Sequence, residues 1–263
     1  MEKMTPFGRS LKIQGRVIGA LLMREIITRY GRHNLGFLWL FAEPMMFTLG
    51  VTLLWNLLGA NHGSSLPITA FAVTGYSSVL LWRNTVMRTT TSITPNLALM
   101  YHRNVRVIDI FASRILLEIS GATISFSIIS MIFMAVGWMN PPEDIFKVVM
   151  GWLLLSWFGI SLALTVGALT ERSELVEKIW HPLSYLLFPL SGAAFMVDWL
   201  SPTFRSVVLL LPMVHGVELV REGYFGSAVH AHYDIAYTSI FCLFLTWIGL
   251  SLAREAGRRV EPE

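Results

Sequence analysis

The sequence predicts an all-α membrane protein, with six transmembrane helices, an N-terminal amphipathic interfacial helix and a short re-entrant segment before the last span. Three observations lead there. Hydrophobic residues make up 54% of the 263 and charged residues only 14%, against about 25% charged in soluble domains, and the mean hydropathy is +0.58. Apolar runs recur at about 35–59, 66–82, 115–138, 148–170, 179–197 and 235–253, each near the ~20 residues that a spanning helix needs. With both termini inside, every one of the 20 lysines and arginines except Lys147, Arg205 and Arg221 falls on the cytoplasmic side. That asymmetry sets orientation.

Residues 1–34 form the cytoplasmic N-terminus. A helix is expected over about 17–30, with Met23, Ile26, Ile27 and Tyr30 on one arc and Arg24, Glu25, Thr28 and Arg29 toward the other, a pattern that suits a helix lying in the interface plane. The charged pair Arg24-Glu25 interrupts the apolar stretch from Val17 to Ile27 and no small-residue cleavage site follows, so it does not read as a signal peptide. Residues 35–253 make one transmembrane domain. Its first span contains Glu43-Pro44; the proline favours a kink, and a carboxylate at membrane depth normally faces a protein interior or a pathway. Gly121 and Ser125 in the third span, and Gly159, Ala163 and Gly167 in the fourth, have the spacing that lets helices approach closely. The fifth span is expected to be broken by Pro182, Pro189 and Ser191-Gly192, and broken helices at depth line cavities or pack on protein. The run around Pro212, about 205–220, is too short to cross and reads as re-entrant. Residues 254–263 form a cytoplasmic tail.

Several kinds of chemistry are absent from the sequence. There is no glycine-rich phosphate loop, and none of the lysines, Lys3, Lys12, Lys147 and Lys178, follows a glycine, so this chain is not expected to hydrolyse ATP itself. Neither a His-Glu-x-x-His helix nor a Gly-x-Ser-x-Gly elbow occurs. Glu171, Glu174 and Glu177, beside Arg172 and Lys178, read as a solvated charged turn. The outer His215, His230 and His232 have no carboxylate or cysteine pattern to complete a site. Neither a metal nor any other cofactor is expected in this chain. Cys242 is alone, which excludes an internal disulfide. The net charge of +3 reflects the inside bias beside anionic headgroups, with no nucleic-acid partner implied. The segment from Arg83 to Arg114 reads as a cytoplasmic loop. It holds five arginines and Tyr101-His102-Arg103-Asn104-Val105-Arg106, and two readings fit it: a topology-fixing loop, or a docking helix for a cytoplasmic protein, tyrosine and arginine being common interface anchors.

Three motifs carry a resemblance. Leu22-Met23-Arg24-Glu25-Ile26-Ile27-Thr28-Arg29-Tyr30-Gly31 runs into Leu35-Gly36-Phe37-Leu38-Trp39 and Glu43-Pro44. Asn104-Val105-Arg106 precedes Asp109 and Ser113-Arg114-Ile115-Leu116-Leu117-Glu118, and His215-Gly216-Val217-Glu218-Leu219-Val220-Arg221-Glu222 precedes the last span. Over nearly its whole length the chain resembles the membrane subunits of type-2 ABC exporters, specifically the permeases of capsular polysaccharide export in Gram-negative bacteria.

The resemblance implies a multi-pass inner-membrane permease with cytoplasmic termini. It would pair with a second copy of itself and with two separate ATP-binding cassette ATPase subunits that bind the ATP and Mg, and would pass a lipid-linked capsular polysaccharide to periplasmic and outer-membrane export proteins. Carried to these residues, it places ATPase coupling at Tyr101, His102, Arg103, Asn104, Arg106 and Asp109. A cytoplasmic doorway for a lipid phosphate or acidic sugar falls at Arg24, Arg29, Arg32 and His33, which guanidinium forks suit and which anchoring to anionic lipid would explain equally. His215, Glu218 and Arg221 belong to the outer motif. Trp39, Phe41, Glu43, Trp180, Tyr185 and Phe188 are the candidate channel lining, since aromatic faces let sugars slide and a conduit must bind weakly at many sites; lipid-facing belts or core packing would account for the same aromatics. Permeases for other lipid-linked glycans, such as O-antigen or teichoic acid precursors, share the architecture. An integral-membrane enzyme on lipid-linked sugars would need paired acids or a metal triad that the sequence lacks.

Overall fold

A computed structural model of the chain describes residues 6–30, 38–59, 66–102 and 105–260. Among these, every regular element is helical: α1 (Pro6–Tyr30), α2 (Trp39–Leu58), α3 (Ile68–Thr90), α4 (Leu97–His102), α5 (Val107–Ala135), α6 (Ile145–Thr170), α7 (Glu174–Leu190), α8 (Pro202–Val208), α9 (Pro212–Phe225) and α10 (Ile235–Val260), with short 3-10 turns between some of them. Helix ends follow local chemistry. Asp144 accepts from the backbone N–H of Phe146 and Lys147 at 2.9 and 3.2 Å and starts α6; Ser173 starts α7 by accepting from Leu175, as N-caps do.

Helix α6 is the central post and packs on α3, α9 and α10. Helix α3 is buried on every side from Thr69 to Trp82. Close approach explains the small residues: a Cβ on Gly159 would lie 3.1 Å from Trp82 Cα, and one on Gly151 would lie 2.7 Å from Val220 N. Polar side chains also cross the bundle. Trp152 Nε1 donates to Thr123 Oγ1 at 2.9 Å, Trp157 Nε1 to Thr246 Oγ1 at 3.2 Å and Thr165 Oγ1 to the Leu245 carbonyl at 3.1 Å, contacts worth roughly 0.6 kcal/mol each between helices in a membrane.

Helices α5, α6 and α10 are long and apolar enough to cross a bilayer. The α8 and α9 pair bends by 107° at a short break, the shape of a re-entrant hairpin or of a fourth, broken span. The other apolar runs differ from expectation in ways that matter. Helix α3 does not stop at residue 82 but continues to Thr90, because no breaker intervenes and Thr85 and Thr89 donate to the carbonyls of Leu81 and Thr85. Arg83 and Arg88 therefore stand on a helix, not in a loop. Helix α5 begins at Val107, so Arg114 and Glu118 are buried on it. Helix α7 runs through both Pro182 and Pro189 and ends at Leu190; the chain turns at Gly192, whose φ of +85° suits glycine. The expected continuation to residue 197 is an irregular turn. Helix α1 begins at Pro6, well before residue 17.

Candidate functional site

Helices α2, α3 and α7 bring together a ladder of aromatic rings. Phe188 of α7 lies 6.2 Å from Phe47 of α2 and 5.5 Å from Tyr76 of α3, centroid to centroid. Tyr76 continues to Trp55 at 5.3 Å, Trp55 to Phe71 at 6.2 Å, and Phe71 to Trp199 at 5.2 Å. These are the offset and edge-on spacings that aromatic pairs prefer. Phe71 and Tyr76 form the buried back of the ladder, while Phe47 and Trp199 at its ends are exposed, as is Tyr185 one turn before Phe188 on α7.

Charge flanks the end of the ladder nearest the C-terminus of α3. The Arg83 guanidinium lies over the Tyr185 ring at 4.4 Å and near Phe188 at 5.9 Å, a cation–π arrangement. One turn or so further along α3, Arg88 Nη2 pairs with Glu43 Oε1 at 2.9 Å. Of the expected channel residues, Glu43, Tyr185 and Phe188 thus belong to one surface. Trp39 is exposed at the start of α2, whereas Trp180 is buried on α7 and faces the core. The Phe41 side chain lies outside the described residues.

The outer motif is a buried set of bolts on one face of α9. Arg221 is fully buried; it donates to the carbonyls of Gly192 at 2.5 Å, Ala193 at 2.7 Å and Phe195, and stacks 3.7 Å over Phe71. Glu218, one turn earlier, accepts from the backbone N–H of Val197 at 3.1 Å and of His232 at 3.0 Å. His215, one turn earlier again, accepts at Nδ1 from the Asp234 N–H at 2.8 Å. Its Nε2 must then carry the proton and donate to the Leu209 carbonyl at 2.8 Å, which fixes a neutral tautomer. These residues hold the chain around α9 and the end of the ladder; they do not face solvent. Nearby, Asp198 pairs with His232 and Arg205 at 3.0 and 3.1 Å, and the His232 hydrogen bond, helped by Arg205, keeps its carboxyl below the usual range although burial opposes this.

At the opposite end, α1 is stitched to the α3–α5 connection. Arg24 donates to the Asn96 side chain and to the Pro95 carbonyl, Glu25 pairs with Arg114, and Gln14 donates to Asp109 at 3.0 Å. Asp109 is buried and accepts from the Arg106 N–H at 3.1 Å, so it organises the start of α5 and is not itself an exposed docking group. Arg106 is exposed. Tyr101 and His102 end α4, their side chains being outside the described residues, as are Arg103, Asn104, Arg32, His33 and the side chain of Arg29. Glu171, Glu174 and Glu177 line a cleft of about 680 Å³ with Lys178 and His181. Burial, and then Glu177, raise the Glu171 carboxyl above its ordinary range. Among the described residues no group of histidines, cysteines and carboxylates has metal-binding geometry.

Sequence reading missed Phe47, Trp55, Phe71, Tyr76, Arg83, Arg88 and Trp199. The aromatics are scattered over two helices and a turn, and the arginines sort to the loop by hydropathy. A signal was available for the arginines, because the threonine-rich stretch after Arg83 contains no helix breaker.

The described residues form a helical bundle in which three helices are long and apolar enough to cross a membrane and a fourth, bent pair packs beside them, the makeup of a polytopic membrane protein. Residues 16–225 match the family model of the ABC-2 type transporter, and the chain belongs to that family. It is 47% identical over 259 residues, 98% of each chain, to the capsule polysaccharide export inner-membrane protein CtrC of Neisseria meningitidis. It is 43% identical over the same coverage to the capsule polysaccharide export inner-membrane protein BexB of Haemophilus influenzae. The polysialic acid transport protein KpsM of Escherichia coli is 27% identical over 250 residues, 92% of this chain and 94% of its own.

Proposed function

We propose that this chain is the permease subunit of an ATP-driven exporter that moves a lipid-linked capsular polysaccharide across the bacterial inner membrane, with both termini in the cytoplasm. The aromatic ladder from Phe47 to Trp199 carries the reading. Its exposed rings give a polysaccharide faces on which sugar rings stack weakly and repeatedly, the requirement for passage without trapping. Its neighbours on α2 and α7, among them Met46, Leu53, Leu54, Leu183 and Leu186, are exposed and apolar, which supports pairing of these faces across a homodimer to enclose a conduit.

In this reading six segments cross: α2, α3, α5, α6, α7 and α10. Helices α8 and α9 form the re-entrant element and α1 lies in the cytoplasmic interface. Two ATPase subunits dock on the connection around α4, from Tyr101 to Arg106, and periplasmic and outer-membrane proteins take the polymer onward. Arg24, with Arg29, Arg32 and His33, receives the anionic end of the glycolipid. Because Arg24 already holds Asn96 and the Pro95 carbonyl, a phosphate drawing on the same guanidinium would loosen the docking segment, linking substrate arrival to the ATPase.

The test is reconstitution with the ATPase and a panel of lipid-linked glycans, reading hydrolysis and export. Phe47→Ala with Phe188→Ala is expected to lower export at least tenfold with insertion intact. Arg103→Glu with Arg106→Glu should release the ATPase. Neutralising Arg24 and Arg29 should remove stimulation by glycolipid. Wild-type export in the first variant would reject the aromatic conduit, and unchanged stimulation in the last would leave α1 an anchor.

A further inference from the structure

We infer that the cleft between the inner end of α10 and the start of α5 is a binding site for one anionic phospholipid of the surrounding bilayer. The cleft has a volume of about 480 Å³, within the range of small-molecule sites. Its floor is Met100, Val107, Ile108 and Leu250, and its rim carries three guanidinium groups, Arg106, Arg254 and Arg258. Among the described residues no carboxylate lies within ion-pair distance of any of the three; Glu255, their neighbour on α10, pairs with Arg172. Gly257 leaves the floor open, since a Cβ there would meet only Val107, at 4.0 Å.

The occupant follows from the helix face on which the cleft sits. Ile240, Leu243, Phe244, Trp247 and Leu250 recur at three- and four-residue steps along α10, and all are exposed. The same spacing continues into Arg254 and Arg258, also exposed. One face thus changes from apolar to cationic within a turn, at the end of a helix long enough to span the membrane. An acyl chain against the apolar turns would bring its phosphate to the arginines, whose forks match phosphate oxygens. Basic pockets between spans on the cytoplasmic side bind anionic headgroups in this way. An acidic protein segment would satisfy the arginines but not the apolar stripe leading to them, and a free phosphate would use neither the stripe nor the floor.

The test titrates the full-length detergent-solubilised chain with dioctanoyl-phosphatidylglycerol, dioctanoyl-phosphatidylcholine or inorganic phosphate, counting bound molecules by native mass spectrometry. Phosphatidylglycerol is expected to bind in preference to phosphatidylcholine. Arg254→Gln with Arg258→Gln should weaken it about thirtyfold, each basic residue near an anionic headgroup being worth roughly fivefold. Gly257→Leu, which fills the floor without touching charge, should weaken it as well while the elution volume and tryptophan emission stay unchanged. Equal binding of the two lipids, retained affinity in either variant, or displacement by inorganic phosphate at equal concentration would overturn the assignment. So would displacement by a lipid-linked glycan at equal concentration.

Discussion

Glu43 of α2 and Arg88 of α3 form an ion pair at 2.9 Å beside the aromatic ladder, with both side chains more than two-fifths exposed. A pair so open to its surroundings contributes little to stability, about 1 kcal/mol or less. Its position therefore matters more than its strength: it fixes α2 against the end of α3 where the ladder begins. Glu43→Gln and Arg88→Gln are each expected to reduce export with a thermal midpoint near that of the wild type, and exchanging the two charges should recover part of the loss. Export assays beside thermal unfolding of the purified complex separate these effects. Full export by both single variants would make the pair a bystander.

Arg221 is a different kind of charge. It is buried and satisfies three carbonyls of the turn after α7, so Arg221→Met leaves those oxygens unpaired inside the protein. At about 1–3 kcal/mol for each unsatisfied buried group, the variant is expected to lose at least 3 kcal/mol and to accumulate poorly in membranes. Arg221→Lys keeps the charge but not the planar fork, and should fall between the two. A melting series in one detergent measures the order, and a stable Arg221→Met would show that the turn has other support.

Some of this was readable in the sequence and some was not, for physical reasons. Helix α6 was legible because the apolar run over 148–170 has the right length and stops at Glu171-Arg172, although its start at Ile145, set by the Asp144 cap, was not. The outer motif was legible only through the resemblance that His215 to Glu222 carries, and the targets of His215, Glu218 and Arg221 were not legible at all. Those targets are backbone groups of Leu209, Gly192, Ala193, Val197 and His232, which carry no sequence signature. The C-terminal part of α3 was hidden because hydropathy sees Arg83 and Arg88 as loop, while helix continuity depends on backbone hydrogen bonding. The ladder joins Phe47 to Trp199 across distant parts of the chain, so only tertiary structure assembles it.

Glu171 supplies a pH prediction. Its carboxyl is raised, first by burial and then by Glu177, so the folded chain holds this proton more tightly than the unfolded chain does. The stabilisation is fully present below the unfolded value near 4.3 and is lost as pH rises through the higher folded value. Glu171→Gln removes the penalty at neutral pH. The variant is expected to melt higher than the wild type at pH 7, and the difference should shrink toward pH 4. A constant difference across that range would assign the effect to packing instead of ionisation.

The helix crossings give the last prediction, a ranking of alanine substitutions at glycines. A methyl on Gly19 of α1 meets nothing within 4 Å, so only helix propensity acts, and Gly19→Ala should stabilise by roughly 0.5–1 kcal/mol. At Gly159 the new atom would sit 3.1 Å from Trp82 Cα, and α3 and α6 must separate by a few tenths of an ångström. At Gly151 it would reach 2.7 Å from a backbone nitrogen of α9, which cannot move without displacing the helix that carries Glu218 and Arg221. Overpacking of this kind costs about 1–3 kcal/mol. The expected order of melting temperatures is therefore Gly19→Ala above wild type, then Gly159→Ala, then Gly151→Ala. An equal or higher melting temperature for Gly151→Ala than for Gly159→Ala would mean that α6 and α9 are not packed as closely as described.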